Sequence, residues 1–312
     1  MKAAVAQIAP VWLDRDATIA KVNRWVARAA RRGCRVVAFG EALVPGYPWW
    51  IEHTDGARFE SRFQKDMHAH YLEQAVDLDA GHLDSTCALA YELGITVVLG
   101  TIERPRDRGG HSAYCSLITI DENGRVANVH RKLMPTYEER LSWAPGDGHG
   151  LKAVPVEAFM LGALNCWENW MPLARGALYA QGEDLHVASW PGNVRNTRDT
   201  TRFLAREGRS YVLAASSLMR RSDIPDAAPH AKALRRRLPA VTGDGGSCIA
   251  GPDGDWVAKP VVGREALIVR AIEHRRVLEE RQNFDAAGHY GRPDVTRLVV
   301  DRRRQSTIST ID

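Results

Sequence analysis

Short apolar runs alternate with amphipathic helical patterns along the whole chain, and this alternation limits the fold more than any other feature. Strands are predicted at residues 3–8, 35–39, 95–102, 114–120, 125–130, 160–165, 185–189, 211–217, 247–250, 255–258 and 266–271. Helices are predicted at residues 14–32, 58–76, 83–93 and 195–207, with another beginning at Pro172 and a last one ending near Gln282. Turn sequences at 121–124 and 251–254 predict two hairpins. The pattern is typical of an α/β protein in which helices cover sheets.

Length and composition favour one large folding unit. The chain has 312 residues, of which 45% are apolar and 26% are charged, as expected for a globular protein. No repeat or linker divides it, so we expect a single domain over residues 1–312. The segment near 219–242 is rich in Arg, Pro and Ala and is predicted to be a surface loop or insertion. The polar tail near 301–312 is predicted to be mobile or bound at an interface.

Charge and cysteine usage exclude several classes of partner. The formal net charge is only +4 and the basic residues are scattered, which argues against nucleic-acid binding. No apolar run approaches the roughly 20 residues of a membrane span, and the first residues do not resemble a signal peptide. Five widely spaced cysteines without a CxxC pair indicate neither a disulfide framework nor a metal site. We therefore expect a cytoplasmic protein whose cysteines stay reduced.

One cysteine lies where a nucleophile would be expected. Cys166 follows the apolar run 160–164 and precedes a predicted helix, so its thiol lies near unpaired backbone N–H groups and the positive end of a helix dipole. Both features lower the pKa of a thiol and favour the thiolate. Without further information Cys166 could equally be a small buried hydrophobic residue, which is the interpretation we give the other four cysteines.

Two charged residues end other apolar runs and could serve this thiol. Glu41 follows residues 36–40, and Lys132 ends the strand that begins at residue 125. A carboxylate at the end of a buried strand must be paired or functional, because an unpaired buried charge is very costly. The alternatives are that Glu41 caps the next turn, that Lys132 is exposed, and that nearby Glu139 is a surface acid.

Taken together, these segments resemble the nitrilase superfamily, and within it the true nitrilase branch. The resemblance covers nearly the whole chain and rests on residues 40–49, 130–136, 139–143, 146–148, 165–173, 189–192 and 289–294. Its sharpest marker is Cys166-Trp167-Glu168-Asn169, since amidase branches usually carry other residues after the cysteine. The resemblance implies a four-layer α-β-β-α sandwich that dimerises and often assembles further into spirals or filaments.

The resemblance also implies site residues and a reaction. Glu41, Lys132 and Cys166 would form the catalytic triad, and Glu139 would be the additional glutamate near the lysine. We expect hydrolysis of an organic nitrile to the carboxylic acid and ammonia, through a thioimidate and an acyl-thioester on the cysteine, without any metal or organic cofactor. Aromatic residues beside these segments predict an apolar pocket. The residues expected to contact the substrate are Tyr47, Trp167 and Trp190.

Three alternatives stay open at this stage. An amidase or carbamoylase would use the same three residues on an amide, although the Cys-Trp-Glu-Asn marker argues against it. A cyanide-hydrating enzyme of the same branch differs only in its substrate. A silent assembly scaffold would be a non-enzymatic alternative, but it would be expected to lack Glu41, Lys132 or Cys166, and all three are present.

Overall fold

The structure is a computed structural model that describes residues 1–308. Its strands are β1 (Lys2–Gln7), β2 (Cys34–Ala38), β3 (Thr96–Glu103), β4 (Tyr114–Ile120), β5 (Val126–Arg131), β6 (Val154–Val156), β7 (Phe159–Asn165), β8 (Leu185–Trp190), β9 (Tyr211–Ser216), β10 (Leu218–Arg220), β11 (Val241–Ala250), β12 (Trp256–Val262) and β13 (Ala266–Ala271). Its α-helices are α1 (Arg15–Arg31), α2 (Trp50–His53), α3 (Arg62–Glu73), α4 (Asp84–Leu93), α5 (Pro172–Tyr179), α6 (Val194–Gly208), α7 (Ala231–Arg237) and α8 (His274–Arg281).

The strands form two mixed sheets. The first has the order β13-β1-β2-β3-β4-β5, in which β1, β2 and β3 are parallel and the remaining neighbours are antiparallel. The second has the order β10-β11-β9-β8-β7-β6, with parallel β7, β8 and β9, and β12 also pairs with β11. Because two antiparallel steps separate β3 from β5, strand β5 runs in the same direction as β2. The carboxyl ends of β2 and β5 therefore lie at the same edge of the first sheet.

The central core lies between the two sheets. Val5 of β1 and Leu117 of β4, from the first sheet, belong to one apolar cluster with Leu161 of β7 and Val187 of β8, from the second. All four side chains are essentially inaccessible to solvent. The two halves of the chain therefore share a single core, which holds the sheets face to face.

Helices cover the outer face of each sheet. Val22 of α1 packs in a cluster with Val97 of β3, and Leu204 of α6 packs in another with Val212 of β9. Because the strands are buried on both faces, they appear in the sequence as continuous apolar runs rather than alternating ones. The predicted α/β class and the α-β-β-α sandwich implied by the resemblance are confirmed.

Helix ends follow local capping chemistry. Asp14 caps α1, its side chain accepting a hydrogen bond of 2.9 Å from the backbone N–H of Ala17. Helix α3 is shorter than the predicted 58–76, because Ser61 caps its start and the backbone of Val76 already bonds to Ile102 of β3. Across residues 1–308, none of the helices is both long and apolar enough to cross a membrane.

The segment predicted as a surface loop near 219–242 has more regular structure than its composition suggested. It contains most of β10 and the whole of α7, and Leu234 and Leu238 are buried in a cluster with Trp50 and Met67. The prediction failed because arginines hide the helical spacing of the three apolar positions Ala231, Leu234 and Leu238.

Part of the polar tail is bound to the body of the protein. Arg304 contacts the buried carboxylate of Asp147 at 2.9 Å, and the backbone N–H of Gln305 donates to the same carboxylate at 2.9 Å. Residues 301–305 therefore lie against the segment at 146–148. The last residues of the predicted tail, 309–312, lie outside the described residues.

Candidate active site

Four residues predicted from the sequence meet at the carboxyl ends of three strands. Glu41 follows β2, Lys132 follows β5 and Cys166 follows β7, while Glu139 lies in the short 3-10 helix Tyr137–Leu141. The Lys132 Nζ donates to Glu41 Oε1 at 2.7 Å and to Glu139 Oε2 at 2.7 Å. All four side chains are buried. The structure thus brings a thiol, an amine and two carboxylates together in one water-poor site.

The loop after β2 is held tightly against the second sheet. The backbone N–H of Glu41 donates to the Trp190 carbonyl at the end of β8, at 3.1 Å. A Cβ atom at Gly40 would lie 2.2 Å from Ser217 Oγ and 2.9 Å from that same carbonyl, so only glycine permits this approach. The close approach of the two sheets fixes where the Glu41 side chain begins.

Cys166 occupies a strained turn. It is the first residue of the 3-10 helix Cys166–Trp170, and its φ of 46° lies in the left-handed region that non-glycine residues rarely adopt. The side-chain amide of Asn169 donates to the Cys166 carbonyl at 2.9 Å and to the Leu164 carbonyl at 3.2 Å. Strain of this kind persists only where the surroundings enforce it, and it clusters at functional sites.

The pKa of the Cys166 thiol is raised, whereas the sequence analysis expected it to be lowered. Burial and the neighbouring Glu41 carboxylate raise the pKa of this thiol well above its ordinary value, although Lys132 and the backbone N–H of Trp167 oppose the rise. The expectation of a lowered pKa considered only the helix terminus and omitted the burial and the carboxylate, which only the folded chain supplies. The resting thiol therefore keeps its proton and needs a base to remove it.

Glu41 has the properties of such a base. Its Oε1 accepts from Lys132 and, at 3.5 Å, from the Cys115 thiol, whereas its Oε2 has no hydrogen-bond partner among residues 1–308. Burial raises the pKa of Glu41 to about 7, with Lys132 opposing the rise and Glu139 adding to it. A carboxylate with a free oxygen and a pKa near neutrality can accept a proton at physiological pH.

Lys132 stays charged in this site. Burial alone would lower the pKa of Lys132, but the negative charges around it, Glu41 foremost, raise that pKa well above the usual value. The Nζ atom also lies 5.4 Å from the centre of the Trp143 ring, within range of a cation–π interaction. The ammonium group is therefore a fixed positive charge beside the thiol and the base.

Glu139 is held from two further sides. Its Oε1 accepts from the Tyr47 hydroxyl at 2.7 Å, and its Oε2 accepts from the backbone N–H of Thr136 at 2.6 Å as well as from Lys132. With both oxygens engaged, Glu139 is suited to orienting the lysine rather than to taking up protons. The alternative that Glu139 is a surface acid is excluded, since this residue is 1% exposed.

Sequence reasoning missed three residues of this site. Cys115, interpreted as a small buried hydrophobic residue, donates to Glu41 as described above. His130 and Glu168 were quoted only as parts of motifs, yet they pair with each other at 3.1 Å directly behind the site. A local signal could have identified His130. It precedes Lys132 by two residues at a strand end, and side chains two residues apart on a strand point to the same face.

A cavity of about 430 Å³ opens above Cys166. Of the predicted substrate contacts, Tyr47 and Trp167 line it, whereas Trp190 is fully buried and is not among the described lining residues. Trp190 packs instead with apolar residues beneath α6. The predicted apolar pocket is only partly right, because polar and charged side chains form much of its wall. These side chains are Glu52, His53, Glu138, Asn193, Arg195 and Asn196.

The comparisons with known proteins identify the family of this chain. A family model described as carbon-nitrogen hydrolase matches residues 2–281. A relative named Nitrilase 2, from an unknown prokaryotic organism, is 35% identical over 97% of this chain and 93% of its own length. An aliphatic nitrilase from Sinorhizobium fredii (strain HH103) is 36% identical over 99% of this chain and 98% of its own length.

A solved structure supports the fold independently. The carbon-nitrogen hydrolase from Helicobacter pylori G27 superposes with a TM-score of 0.69 at 20% sequence identity, covering 94% of this chain and 96% of that one. At this identity the likeness concerns the fold alone. Together with the family model and the relatives above, it establishes that this chain belongs to the carbon-nitrogen hydrolase family, in the nitrilase branch that its motifs resemble.

Proposed function

We propose that this protein is a nitrilase that hydrolyses an organic nitrile to the carboxylic acid and ammonia. The observation that carries the proposal is the free oxygen of Glu41, in a buried carboxylate that accepts a hydrogen bond from Lys132 and lies near the Cys166 thiol. A nitrile carbon is a weak electrophile, so it requires a thiolate generated at the moment of attack. The cavity above Cys166 gives a small molecule access to that thiol.

The first half of the reaction attaches the substrate to the enzyme. Glu41 Oε2 takes the proton from the Cys166 thiol, and the sulfur attacks the nitrile carbon. A C–S bond forms as one π bond of the C≡N group breaks, and the nitrogen receives the proton to give a thioimidate. Lys132 and the backbone N–H of Trp167 stabilise the charge that develops on the substrate.

The second half releases the products. Water loses a proton to Glu41 and adds to the thioimidate carbon, and Glu41 returns this proton to the nitrogen. The nitrogen then takes the hydroxyl proton, the C–N bond breaks as the carbonyl forms, and ammonia leaves. The resulting acyl-thioester takes up a second water, the C–S bond breaks, and the acid and the free Cys166 thiol are restored. One nitrile and two waters thus give one acid and one ammonia. Breaking of the C–S bond in the first tetrahedral intermediate would give an amide instead.

Ammonia release from a panel of organic nitriles tests this proposal, with the matching amides and cyanide assayed alongside. We expect release from organic nitriles with the acid as main product. Release from amides alone would assign the chain to an amidase or carbamoylase activity, and conversion of cyanide alone would assign it to cyanide hydration. A chain that converts none of these would support the silent scaffold.

Activity should depend on pH through Glu41. Because the base must be ionised to take the thiol proton, we expect kcat/KM for an uncharged nitrile to fall about tenfold per pH unit below pH about 7. Initial rates between pH 5.5 and 8.5 check this, with circular dichroism confirming that the fold persists. A profile that is flat across this range would exclude Glu41 as the base.

Trp167 should influence the choice of substrate, whereas Trp190 should not. Trp167 is 44% exposed at the cavity wall, so Trp167→Ala enlarges the cavity there. We expect the ratio of kcat/KM for a bulky aromatic nitrile to that for a small aliphatic one to rise by roughly tenfold. Trp190→Phe is the matched control, expected to lower thermal stability and leave the ratio unchanged. An unchanged ratio in Trp167→Ala would remove this residue from the substrate contacts.

We also propose that the protein acts as a homodimer or a higher homo-oligomer in a reducing cytoplasm. Support for association comes from Trp170, Leu173 and Phe203, whose large apolar side chains are exposed, and Trp170 and Phe203 share one surface groove. All five cysteines are free thiols, as expected for a reducing compartment. Light scattering tests the association, and a mass equal to one chain would contradict it.

A further inference from the structure

A buried carboxylate behind the site joins the two strands that carry Cys166 and Lys132. Glu168 Oε2 accepts from the backbone N–H of Asn165 at 2.9 Å, directly before the cysteine. Glu168 Oε1 accepts from the backbone N–H of Leu133 at 2.6 Å, directly after the lysine. The His130 ring, two residues before the lysine, lies 3.1 Å from both oxygens.

These contacts cross from one sheet to the other. Asn165 ends β7 of the second sheet, whereas His130 belongs to β5, at the edge of the first sheet. Strands β5 and β7 belong to different sheets and share no backbone hydrogen bonds, so another contact is needed to fix the distance between their ends. Glu168 supplies such a contact, because its carboxylate accepts from backbone N–H groups that are one residue away from Lys132 and from Cys166.

We propose that Glu168 is a positioning residue, which sets the spacing between the Lys132 ammonium and the Cys166 thiol by hydrogen-bonding to both strand ends. The inference rests on the proposed function, since it concerns the geometry of that catalytic set. Glu168 does not line the described cavity, so it acts through Cys166 and Lys132 rather than by touching the substrate. A displacement of about 1 Å in such a set can cost roughly 100-fold in rate.

The charge of Glu168 fits this role. Burial favours a raised pKa for Glu168, but the adjacent His130 ring and the backbone hydrogen bonds from Leu133 and Asn165 hold that pKa below its ordinary value. An ionised carboxylate accepts from all of these donors at once, and its hydrogen bonds are stronger than those of a neutral group. A helix cap alone would need only the contact with Asn165.

The test compares Glu168→Gln with a matched variant at the other end of β7. Asp184 is also a buried carboxylate that accepts from a backbone N–H, that of Met160 at 2.7 Å, and from an imidazole, that of His274 at 2.8 Å. Both substitutions replace one acceptor oxygen of the carboxylate by an NH2 group, which donates but cannot accept, so they should cost similar stability. Only Glu168 lies next to the catalytic set.

We expect Glu168→Gln to lower kcat by roughly 10- to 100-fold with KM changed less than about threefold. In Asp184→Asn, kcat should stay within about twofold of the unmodified protein. Full kcat in Glu168→Gln, or an equal loss in Asp184→Asn, would overturn the proposal. If Glu168→Gln does not fold, His130→Leu is the second variant, because it removes one donor to Glu168 and leaves both backbone contacts. We expect kcat of His130→Leu to fall several-fold at constant KM. An unchanged kcat would overturn the proposal.

Alkylation of Cys166 by iodoacetamide separates this inference from the proposed function, because it needs no nitrile. Peptide mass spectrometry follows the modification of Cys166 itself. We expect the alkylation rate to fall at least about tenfold in Glu168→Gln and to stay unchanged in Asp184→Asn. Absence of nitrile turnover in the unmodified protein would refute the proposed function, whereas equal alkylation rates in all three proteins would refute the positioning role of Glu168.

Discussion

Cys166→Ala should abolish turnover, with kcat reduced on the order of 10⁴-fold or more, because Cys166 supplies the only thiol among the described residues that line the cavity. The substitution removes only one sulfur atom from a buried site, so we expect the free energy of unfolding to change by no more than about 1 kcal/mol. Ammonia release and urea unfolding, measured on the same preparation, check both parts of this prediction.

Two further variants make the result specific. Cys248→Ala removes another buried thiol, which donates to Thr201 at 3.5 Å rather than to the site, and it should keep full activity. Cys166→Ser keeps the size of the side chain but supplies a hydroxyl, which is a poorer nucleophile, so it should also be inactive. Turnover by Cys166→Ala above about 1% of the original rate would mean that another group forms the covalent intermediate.

Lys132→Met should remove both activity and a large part of the stability. The methionine fills the same space without a charge and leaves Glu41 and Glu139 buried without their shared cation. Breaking a buried ion pair in this way typically costs about 3–5 kcal/mol in unfolding free energy. Since Lys132 also orients the base and stabilises charge on the substrate, we expect kcat to fall by about 10³-fold or more.

The stability loss in Lys132→Met should shrink as the pH falls. Without the ammonium, burial and mutual repulsion raise the pKa of both carboxyl groups above their values in the unfolded chain. The folded variant then binds more protons than the unfolded one, so its free energy of unfolding rises as the pH is lowered. Urea unfolding at pH 8 and at pH 5.5 measures this, and a loss that is equal at both pH values would contradict the explanation.

A surface pair provides the control for this experiment. Lys65 forms an ion pair with Glu60, in which both side chains are more than half exposed to solvent. Such pairs contribute roughly 0–1 kcal/mol, so Lys65→Met should leave stability and activity close to those of the unmodified protein. A comparison of the two variants shows whether the stability loss in Lys132→Met comes from breaking a buried ion pair or from the loss of any lysine.

The positions of the reactive groups were predictable from sequence because they depend on strand ends. Continuous apolar runs identify buried strands, and a charged residue or a cysteine directly after such a run must lie at the edge of a sheet. On this basis Glu41, Lys132 and Cys166 could be selected, and the resemblance to the nitrilase superfamily added Glu139. The family and the fold were confirmed by the comparisons.

The environment of those groups could not be predicted, because it depends on contacts between segments far apart in the chain. Cys115 and Glu41 are separated by 74 residues, and Glu168 and His130 by 38, yet each pair is in contact. No local pattern in a single sequence indicates such pairs. Nor does the sequence show that the end of the 219–242 segment lines the cavity, through Pro239, Val241 and Thr242.

The sequence by itself thus determined the order of most strands and helices, although it missed the short elements β6, β10, α2 and α7. It also determined the family and which residues can carry the chemistry, since these follow from local periodicity and motifs. Only the tertiary structure decided the protonation of those residues and the shape of the cavity. Burial and neighbouring charges raised the pKa of Cys166, which was expected to be lowered, and also raised the pKa of Glu41. Packing also placed Trp167 at the cavity and Trp190 beneath α6, although both adjoin catalytic motifs, because solvent exposure is set by the whole fold.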